Sequence, residues 1–378
     1  MNSKFINIFF IFLFFLVSCK NKNSEKFTDP DVELYENIYS SGFKIEGYED
    51  SPNSVITVYN PWQGAEGVAS RLFISRDNIK PENFEGQIIT GIPQKIVCMS
   101  STNIAMLDAL DEVSRVYGVS GLSYITNPYI LKNKEKIAEV GYDGNMDYET
   151  LVSLKPDIVL LYGVNGASSI ENKLKEFGIP YLYLGDYLEE TPLGKAEWIM
   201  TVAELLDKRE NGSAIFEGIC ERYTKLKNKV DSASVTKPRF MLNTPFADSW
   251  FMPSTESYVA NMMKDAGGEY IYKKNTGNSS VPIDMEEAFL LASESDYWLN
   301  VNNLNDLNDL KNTLPKFKDI SCVKEKKVFN NNLRSTPGGG NDCYESGIMN
   351  PDLMLRDLIK IFHPQLIEDE FVYYRHLE

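Results

Sequence analysis

Histidine is almost absent from this chain of 378 residues, because only His363 and His376 occur and both lie near the C-terminus. A zinc or manganese centre held by several imidazoles cannot be assembled from two such residues. The sequence also lacks the motif of a serine nucleophile, since no Gly-x-Ser-x-Gly surrounds Ser100 or Ser101 at their strand-to-helix turn. The sequence therefore argues against a bare-metal receptor and keeps a serine hydrolase only as a minor alternative.

Basic residues are outnumbered by acidic ones. The 38 lysines and arginines stand against 54 aspartates and glutamates, which is a formal net charge of −16. A chain with this balance has no general electrostatic attraction for nucleic acid or anionic lipid. We therefore expect no nucleic-acid partner, and the acidic surface by itself identifies no ligand.

Cysteines are few and widely spaced. Apart from Cys19 there are four, at positions 98, 220, 322 and 343. This spacing indicates no disulfide framework. Cys98 lies in an apolar run and is interpreted as a small buried hydrophobe, so Cys322 with Cys343 is the one pair worth testing.

Long apolar runs are also missing, apart from one at the N-terminus. Residues Phe5–Val17 form a run of 13 that follows Lys4. As a helix this run would reach about 20 Å, against a hydrocarbon core of about 30 Å. A cationic start, a short apolar stretch and small residues before a cleavage point are typical of a secretory signal. We therefore predict a signal peptide over residues 1–19.

The segment Leu16–Cys19 resembles the bacterial lipobox, in which the cysteine is acylated and becomes the first mature residue. Two or three acyl chains anchor a protein firmly, whereas one holds it only marginally. The alternative is an ordinary signal peptide in which Cys19 is incidental. Residues 20–50 are predicted as a tether, and the absence of an acidic run after Cys19 favours a periplasm-facing lipoprotein.

The rest of the chain alternates between short apolar strands and amphipathic helices, which indicates an α/β fold. We predict two Rossmann-like lobes joined by a long rigid helix, with a ligand cleft between the lobes. The predicted boundaries are an N-terminal α/β lobe over 51–192, linking helices over 193–232, and a C-terminal α/β lobe with a closing helix over 233–378. Asn211-Gly212 is a candidate break between two linking helices.

Two sequence motifs resemble those of a known protein family. Asp147–Leu151 followed by Leu154–Val159 resembles the Asn-x-Glu…Leu-x-Pro-Asp-x-Val signature of periplasmic binding proteins for cobalamin and iron complexes. The likeness extends over roughly residues 90 to 365. The form Ile283–Glu286 is similar to the Bacteroidota branch of that family.

The resemblance implies a substrate-binding lipoprotein of an ABC transporter, which catalyses no reaction. Its ligand would be an iron chelate (siderophore or haem) or cobalamin, and it would hold no covalent cofactor. Its partners would be a permease dimer and the ATPase of that permease, and the protein itself would be a monomer. The resemblance assigns permease docking to Glu149 and Glu286, with Glu287 as a register alternative because Ser295 replaces the usual proline. A lipid-anchored chelate scavenger without a permease is the other interpretation.

Ligand contacts are expected in the loops that follow strands, since ligands of α/β proteins bind at the carboxyl ends of strands. Aromatic faces and hydrogen-bond donors suit a large chelate. The candidates are Ser100, Ser101, Thr102, Tyr124 and Tyr162 in the first lobe, and Trp250, Phe251, Asn302 and Arg334 in the second. All of them except Asn302 have a simpler interpretation: the hydroxyl residues cap a helix, the aromatics pack in the core or at its rim, and Arg334 pairs with Asp342.

Overall fold

The computed structural model describes residues 24–378, apart from residues 164, 165, 167, 168 and 234. The predicted signal peptide and Cys19 lie outside the described residues. None of the helices in the described ranges combines the length and apolar character needed to traverse a bilayer. The four cysteines in these ranges are free thiols, so Cys322 and Cys343 do not pair.

The first lobe is built on a five-stranded parallel sheet. Its strands, in spatial order, are Ala138–Glu139, Val116–Val119, Ile96–Cys98, Ile158–Leu161 and Tyr181–Tyr183. The central strands are apolar along their whole length and buried on both faces, as parallel strands between helices are. Its helices are Ser101–Ala109, Pro128–Lys132, Tyr148–Leu154 and Ser169–Phe177.

The second lobe repeats this plan. Its sheet contains, in spatial order, Glu269–Tyr270, Arg239–Leu242, Tyr297–Leu299, Val328–Asn330 and Arg375–His376. Only the last strand is antiparallel to its neighbour. Its helices are Tyr258–Asp265, Met285–Ser293, Leu307–Thr313, Ser321–Lys324 and the closing helix Pro351–Phe362. A separate hairpin pairs Trp250–Met252 with Val281–Ile283.

Three helices connect the lobes. They are Pro192–Glu197, Ile199–Leu205 and the 24-residue Arg209–Ser232. The break before the longest helix falls at Asp207, whose φ is +59°, and not at the predicted Asn211-Gly212. Gly212 lies inside the helix, where an added Cβ would stand 2.5 Å from the Ala203 side chain. This glycine therefore permits close packing of two linking helices and does not end one.

A third sheet precedes the first lobe. Its strands, in spatial order, are Val32–Tyr35, Phe43–Tyr48, Ser51–Tyr59, Ala69–Ser75 and Gln87–Thr90. We call this the N-terminal sheet. Residues 32–48 thus belong to folded structure, which corrects the tether predicted over residues 20–50. The cause is the alternation in Phe43–Tyr48, which buries Phe43 and Ile45 and leaves Lys44 and Glu46 outward.

One buried carboxylate ties the N-terminal sheet to the linking helices. Glu197 is fully buried. Its Oε1 accepts hydrogen bonds from the Tyr35 hydroxyl at 2.8 Å and the Ile38 amide at 2.6 Å. Its Oε2 accepts from the amides of Tyr39 at 2.8 Å and Ser40 at 2.5 Å. Three amides of one loop and the hydroxyl of Tyr35, at the end of the preceding strand, are therefore held by a single side chain of the linker.

Candidate functional site: a cleft between the two lobes

The carboxyl ends of both parallel sheets face the boundary between the lobes, and two neighbouring cavities lie there. The narrow cavity has a volume of about 270 Å³, and the wide cavity about 570 Å³. Tyr344 lines both, as do residues at the start of the helix Ser101–Ala109. Both cavities take residues from the first and the second lobe, so together they form an interlobe cleft.

The narrow cavity is lined by aromatic rings and a charged pair. Its tyrosines are Tyr162, Tyr187, Tyr258 and Tyr344. Burial raises the pKa of Tyr162 and of Tyr258 above the ordinary value of 10, so both phenols stay protonated at neutral pH. Protonated phenols can stack on a ligand and donate hydrogen bonds to it.

The charged pair consists of Asp186 and Lys195. Asp186 is 2% exposed, and its Oδ2 lies 3.6 Å from Lys195 Nζ. Lys195 donates a hydrogen bond to the Asp186 carbonyl at 2.9 Å and lies 4.7 Å from the centre of the Tyr258 ring. Burial raises the pKa of Asp186 and lowers the pKa of Lys195, and in each case the partner opposes the shift. The pair is thus electrically neutral as a unit.

The wide cavity is polar. Asn243, Thr244, Asn302, Asn303 and Asn331 line it from the second lobe, and Ser101 and Tyr124 from the first. Four exposed aromatics lie at this cavity: Tyr124 at 63%, Phe246 at 76%, Phe251 at 40% and Tyr344 at 52%. Amide groups and open aromatic faces can bind a large ligand that presents both apolar and hydrogen-bonding surface.

Seven of the nine ligand-binding candidates lie at this cleft. Ser100, Thr102 and Tyr162 line the narrow cavity, and Ser101, Tyr124, Phe251 and Asn302 line the wide one. Ser100 also caps the helix that follows it, because its hydroxyl accepts from the Thr102 amide and its own amide binds the Asn103 side chain. Their contact with a ligand stays a prediction.

Trp250 is not at the cleft. It is completely buried, its indole donates to the Leu242 carbonyl at 2.9 Å, and its ring stacks on Trp298 at 5.5 Å. In the strand Trp250–Met252, successive side chains point to opposite faces, so Phe251 is exposed and Trp250 packs in the core. The structure therefore favours the alternative in which Trp250 packs in the core.

Arg334 is also engaged elsewhere. Its Nε lies 3.0 Å from Asp342 Oδ2, and its guanidinium lies 5.6 Å from the Tyr373 ring. It lines neither cavity. The structure therefore favours the alternative in which Arg334 pairs with Asp342.

The loop after Arg334 closes the cleft. A Cβ on Gly338 would lie 2.3 Å from the Ser123 carbonyl oxygen, and one on Gly340 would lie 2.4 Å from that of Tyr124. Beside it, the Thr126 amide donates to Glu345 Oε2 at 2.7 Å and the Thr126 hydroxyl donates to Asp342 at 3.0 Å. These contacts join the first lobe to the second.

Neither histidine reaches the cleft. His363 is buried with Nε2 at 3.4 Å from the Gly267 carbonyl, and His376 contacts the Lys326 carbonyl. Neither residue lines a cavity next to Ser100 or Ser101. In the described ranges, no group of three or more His, Cys, Asp or Glu side chains is arranged to hold a metal ion.

Glu149 and Glu286 occupy equivalent places in the two lobes. Each is the second residue of a helix whose N-cap is an aspartate, Asp147 or Asp284. Each helix leads into a buried strand, Ile158–Leu161 or Tyr297–Leu299. Both glutamates are exposed. By helix position Glu149 corresponds to Glu286, whereas Glu287 is the next residue and pairs with Lys274 at 2.6 Å.

Sequence reasoning missed several residues of the cleft. Asp186 and Tyr187 follow the strand Tyr181–Tyr183, so the rule that ligands bind beyond strand ends was sufficient to find them. Lys195, Tyr258 and Tyr344 lie in helices and a helical turn distant in sequence. Only the assembled fold brings these three together.

Comparison with known proteins agrees with this architecture. A family model for periplasmic binding proteins matches residues 96–331. An uncharacterised lipoprotein of Methanocaldococcus jannaschii is 26% identical over 377 residues, which cover 91% of this chain and 86% of the relative. An uncharacterised ABC transporter substrate-binding lipoprotein of Bacillus subtilis, YvrC, is 34% identical over 96 residues, 25% of this chain and 29% of that one.

Solved structures share the fold at low identity. A periplasmic haem-binding protein of Pseudomonas aeruginosa superposes with a TM-score of 0.60 at 17% identity, covering 76% of this chain and 99% of that one. The periplasmic vitamin B12 binding protein BtuF of Vibrio cholerae gives 0.53 at 13% identity, covering 71% and 96%. Because the family model spans more than half of the sequence, the chain belongs to the periplasmic binding protein family.

Proposed function

We propose that this protein is the substrate-binding lipoprotein of an ABC importer, which captures a metal chelate in the interlobe cleft and delivers it to a permease dimer with its ATPase. The chelate is a ferric siderophore, haem or cobalamin, and it is cargo rather than a cofactor. The protein acts as a monomer, faces the periplasm and is held to the membrane through acylated Cys19.

The observation that carries the proposal is the pair of joined cavities between the lobes. The narrow cavity is aromatic and largely apolar, and the wide cavity beside it is lined by asparagines. This arrangement suits a ligand with a flat or apolar body and polar edges. Relatives support this ligand class, since one structure of the same fold is a haem-binding protein and another binds vitamin B12. The Bacillus subtilis relative supports the link to an ABC transporter.

Thermal denaturation tests the binding proposal directly. A ligand at 100 times its dissociation constant stabilises a folded protein by about 2.7 kcal/mol. We expect at least one of cobalamin, haem and a set of ferric siderophores to raise the melting temperature of the purified protein. If none of them does so, the ligand class is wrong.

Delivery is proposed to depend on Glu149 and Glu286 meeting basic residues of the permease. Exposed ion pairs contribute only about 0 to 1 kcal/mol each, so two of them do not hold a complex together. They set orientation and encounter rate instead. The matched positions of the two carboxylates suit a two-point contact with a permease dimer.

Charge reversal separates docking from ligand binding. We expect Glu149→Arg with Glu286→Arg to abolish uptake in cells while ligand affinity of the purified protein stays unchanged. The control reverses two exposed carboxylates of a linking helix, Glu210→Lys with Glu221→Lys. Normal transport by the first double variant refutes the docking role. Failure of the unaltered protein to bind any permease favours the scavenger alternative.

A further inference from the structure

The pair Asp186 and Lys195 leaves hydrogen-bonding capacity open toward the narrow cavity. Asp186 Oδ1 is approached by the Thr102 hydroxyl at 3.4 Å, whereas Oδ2 receives no hydrogen bond from the described residues. Lys195 donates one hydrogen bond to the Asp186 carbonyl, and its ammonium group faces the Tyr258 ring. An ammonium group has three donors, and the bond to the Asp186 carbonyl is the one hydrogen bond that Lys195 makes within the described residues, so a donor can turn to a ligand in the cavity.

Asp186 Oδ2 lies 3.6 Å from Lys195 Nζ but receives no hydrogen bond there, and this has an energetic consequence. Asp186 is almost fully buried, and a buried polar atom without a partner is costly unless something supplies a hydrogen bond. Asp186 lines the cavity, so a ligand in the cavity can supply it. The ligand group must donate to Asp186 Oδ2 and accept from Lys195.

A carboxylate does not meet this requirement. It has no hydrogen to donate, and the cation of Lys195 is already compensated by Asp186 3.6 Å away. A second carboxylate in the same cavity adds an uncompensated buried charge, which is strongly unfavourable. A primary amide has one carbonyl acceptor and two N–H donors and carries no charge.

The cavity also sets the size of the group. A volume of about 270 Å³ is at the lower limit for a complete small-molecule site, for which about 300 to 1,000 Å³ is usual. The adjoining wide cavity is about twice as large and is shared through Tyr344. The body of the ligand therefore belongs in the wide cavity and a side arm in the narrow one.

From this geometry we infer that the narrow cavity selects chelates carrying a neutral amide side arm, with the arm held between Asp186 and Lys195, and rejects chelates whose polar arms are carboxylates. The inference rests on the proposed function and narrows its ligand class. Asp186 and Lys195 are specificity-determining residues in this scheme, and Tyr258 fixes the lysine.

Two matched pairs of probes test the inference by calorimetric titration. The pairs are the heptaamide of cobyrinic acid and cobyrinic acid itself, in which carboxylates replace every amide arm, and the bis-amide of haem and haem itself. In every pair that binds, we expect the amide member to bind at least about tenfold more tightly, as expected for one buried hydrogen bond lost. Equal or tighter binding of the carboxylate member overturns the inference and leaves the proposed function standing. Absence of binding by all four probes overturns the inference, and the thermal denaturation screen, which includes ferric siderophores, decides the proposed function.

Substitutions give an independent readout. Asp186→Asn removes the compensating charge, so Lys195 then attracts carboxylates, and we expect the amide-to-carboxylate preference to fall at least tenfold. Lys195→Met keeps the apolar stem and removes the cation, and we expect weaker binding of both members. The control Asp111→Asn alters an exposed turn that lines neither cavity. An unchanged preference in Asp186→Asn contradicts the inference, and if that variant fails to fold, the wild-type pairs decide.

Discussion

Glu197 offers the sharpest test of how the N-terminal sheet is held in place. Glu197→Ala deletes the acceptor of four hydrogen bonds, three from consecutive amides of residues 38–40 and one from Tyr35. Hydrogen bonds to a charged group contribute about 1.5 to 3 kcal/mol each when buried. The loss in free energy of unfolding is smaller than the sum over four such bonds, because water can replace part of the bonding. Ile38 is 65% exposed and Tyr39 is 41% exposed. We therefore expect a loss of about 3 kcal/mol.

Native-state hydrogen exchange measures this loss locally. A destabilisation of about 3 kcal/mol corresponds to about a 100-fold drop in protection for amides of the segment 35–48. The strand Ile158–Leu161, in the core of the first lobe, should keep its protection. Glu197→Gln retains one carbonyl oxygen and should give an intermediate result.

The matched control is Glu221→Ala, an exposed glutamate of the linking helix Arg209–Ser232. Surface substitutions of this kind change stability by about 0.5 kcal/mol or less. If the amides of residues 35–48 are protected from exchange as strongly in Glu197→Ala as in the control, the carboxylate does not anchor the N-terminal sheet. In that case the argument from its hydrogen bonds fails.

Two further predictions concern closure of the cleft. Burial raises the pKa of Glu345 from 4.5 to about 7, with Asp342 adding to the effect, so its stabilising contribution is complete below about pH 4.5 and is lost as pH rises through 7. Glu345→Gln should therefore flatten the melting temperature between pH 5 and 8, and an unchanged pH slope would show that another group is responsible. Gly340→Ala places a methyl group against the Tyr124 carbonyl and should weaken ligand binding about tenfold or more, whereas Gly277→Ala, whose Cβ has room, should not. Small-angle scattering with and without ligand checks that the loss comes from incomplete closure.

The α/β plan of the chain could be predicted from local pattern. Continuous apolar runs such as Ile158–Leu161 occur where a strand is covered on both faces, and the helices between them are amphipathic. Alternation of the two also indicates a parallel sheet, and the rule for strand ends then locates the cleft. The equivalence of Glu149 and Glu286 follows from the same repeat.

Some local patterns differ from the average composition of their segment. Phe43–Tyr48 alternates as a half-buried strand does, although it lies in the segment predicted as a tether. Asn211-Gly212 has the composition of a helix break, whereas its glycine permits contact between helices. Composition describes the average of a segment, and burial of single side chains depends on what packs against them.

Other features lie beyond any local pattern. Trp250 and Phe251 are adjacent aromatics, and only the pairing of their strand with Val281–Ile283 decides which of them is buried. Asp186 and Lys195 meet Tyr258, 63 residues further along the chain from Lys195, because a linking helix lies against the second lobe. The sequence by itself determined the lobes, their order and the loops that face each other, since these follow from short-range periodicity. Only the tertiary structure decided which side chains share the cleft, since packing between distant segments sets each distance and each charge there.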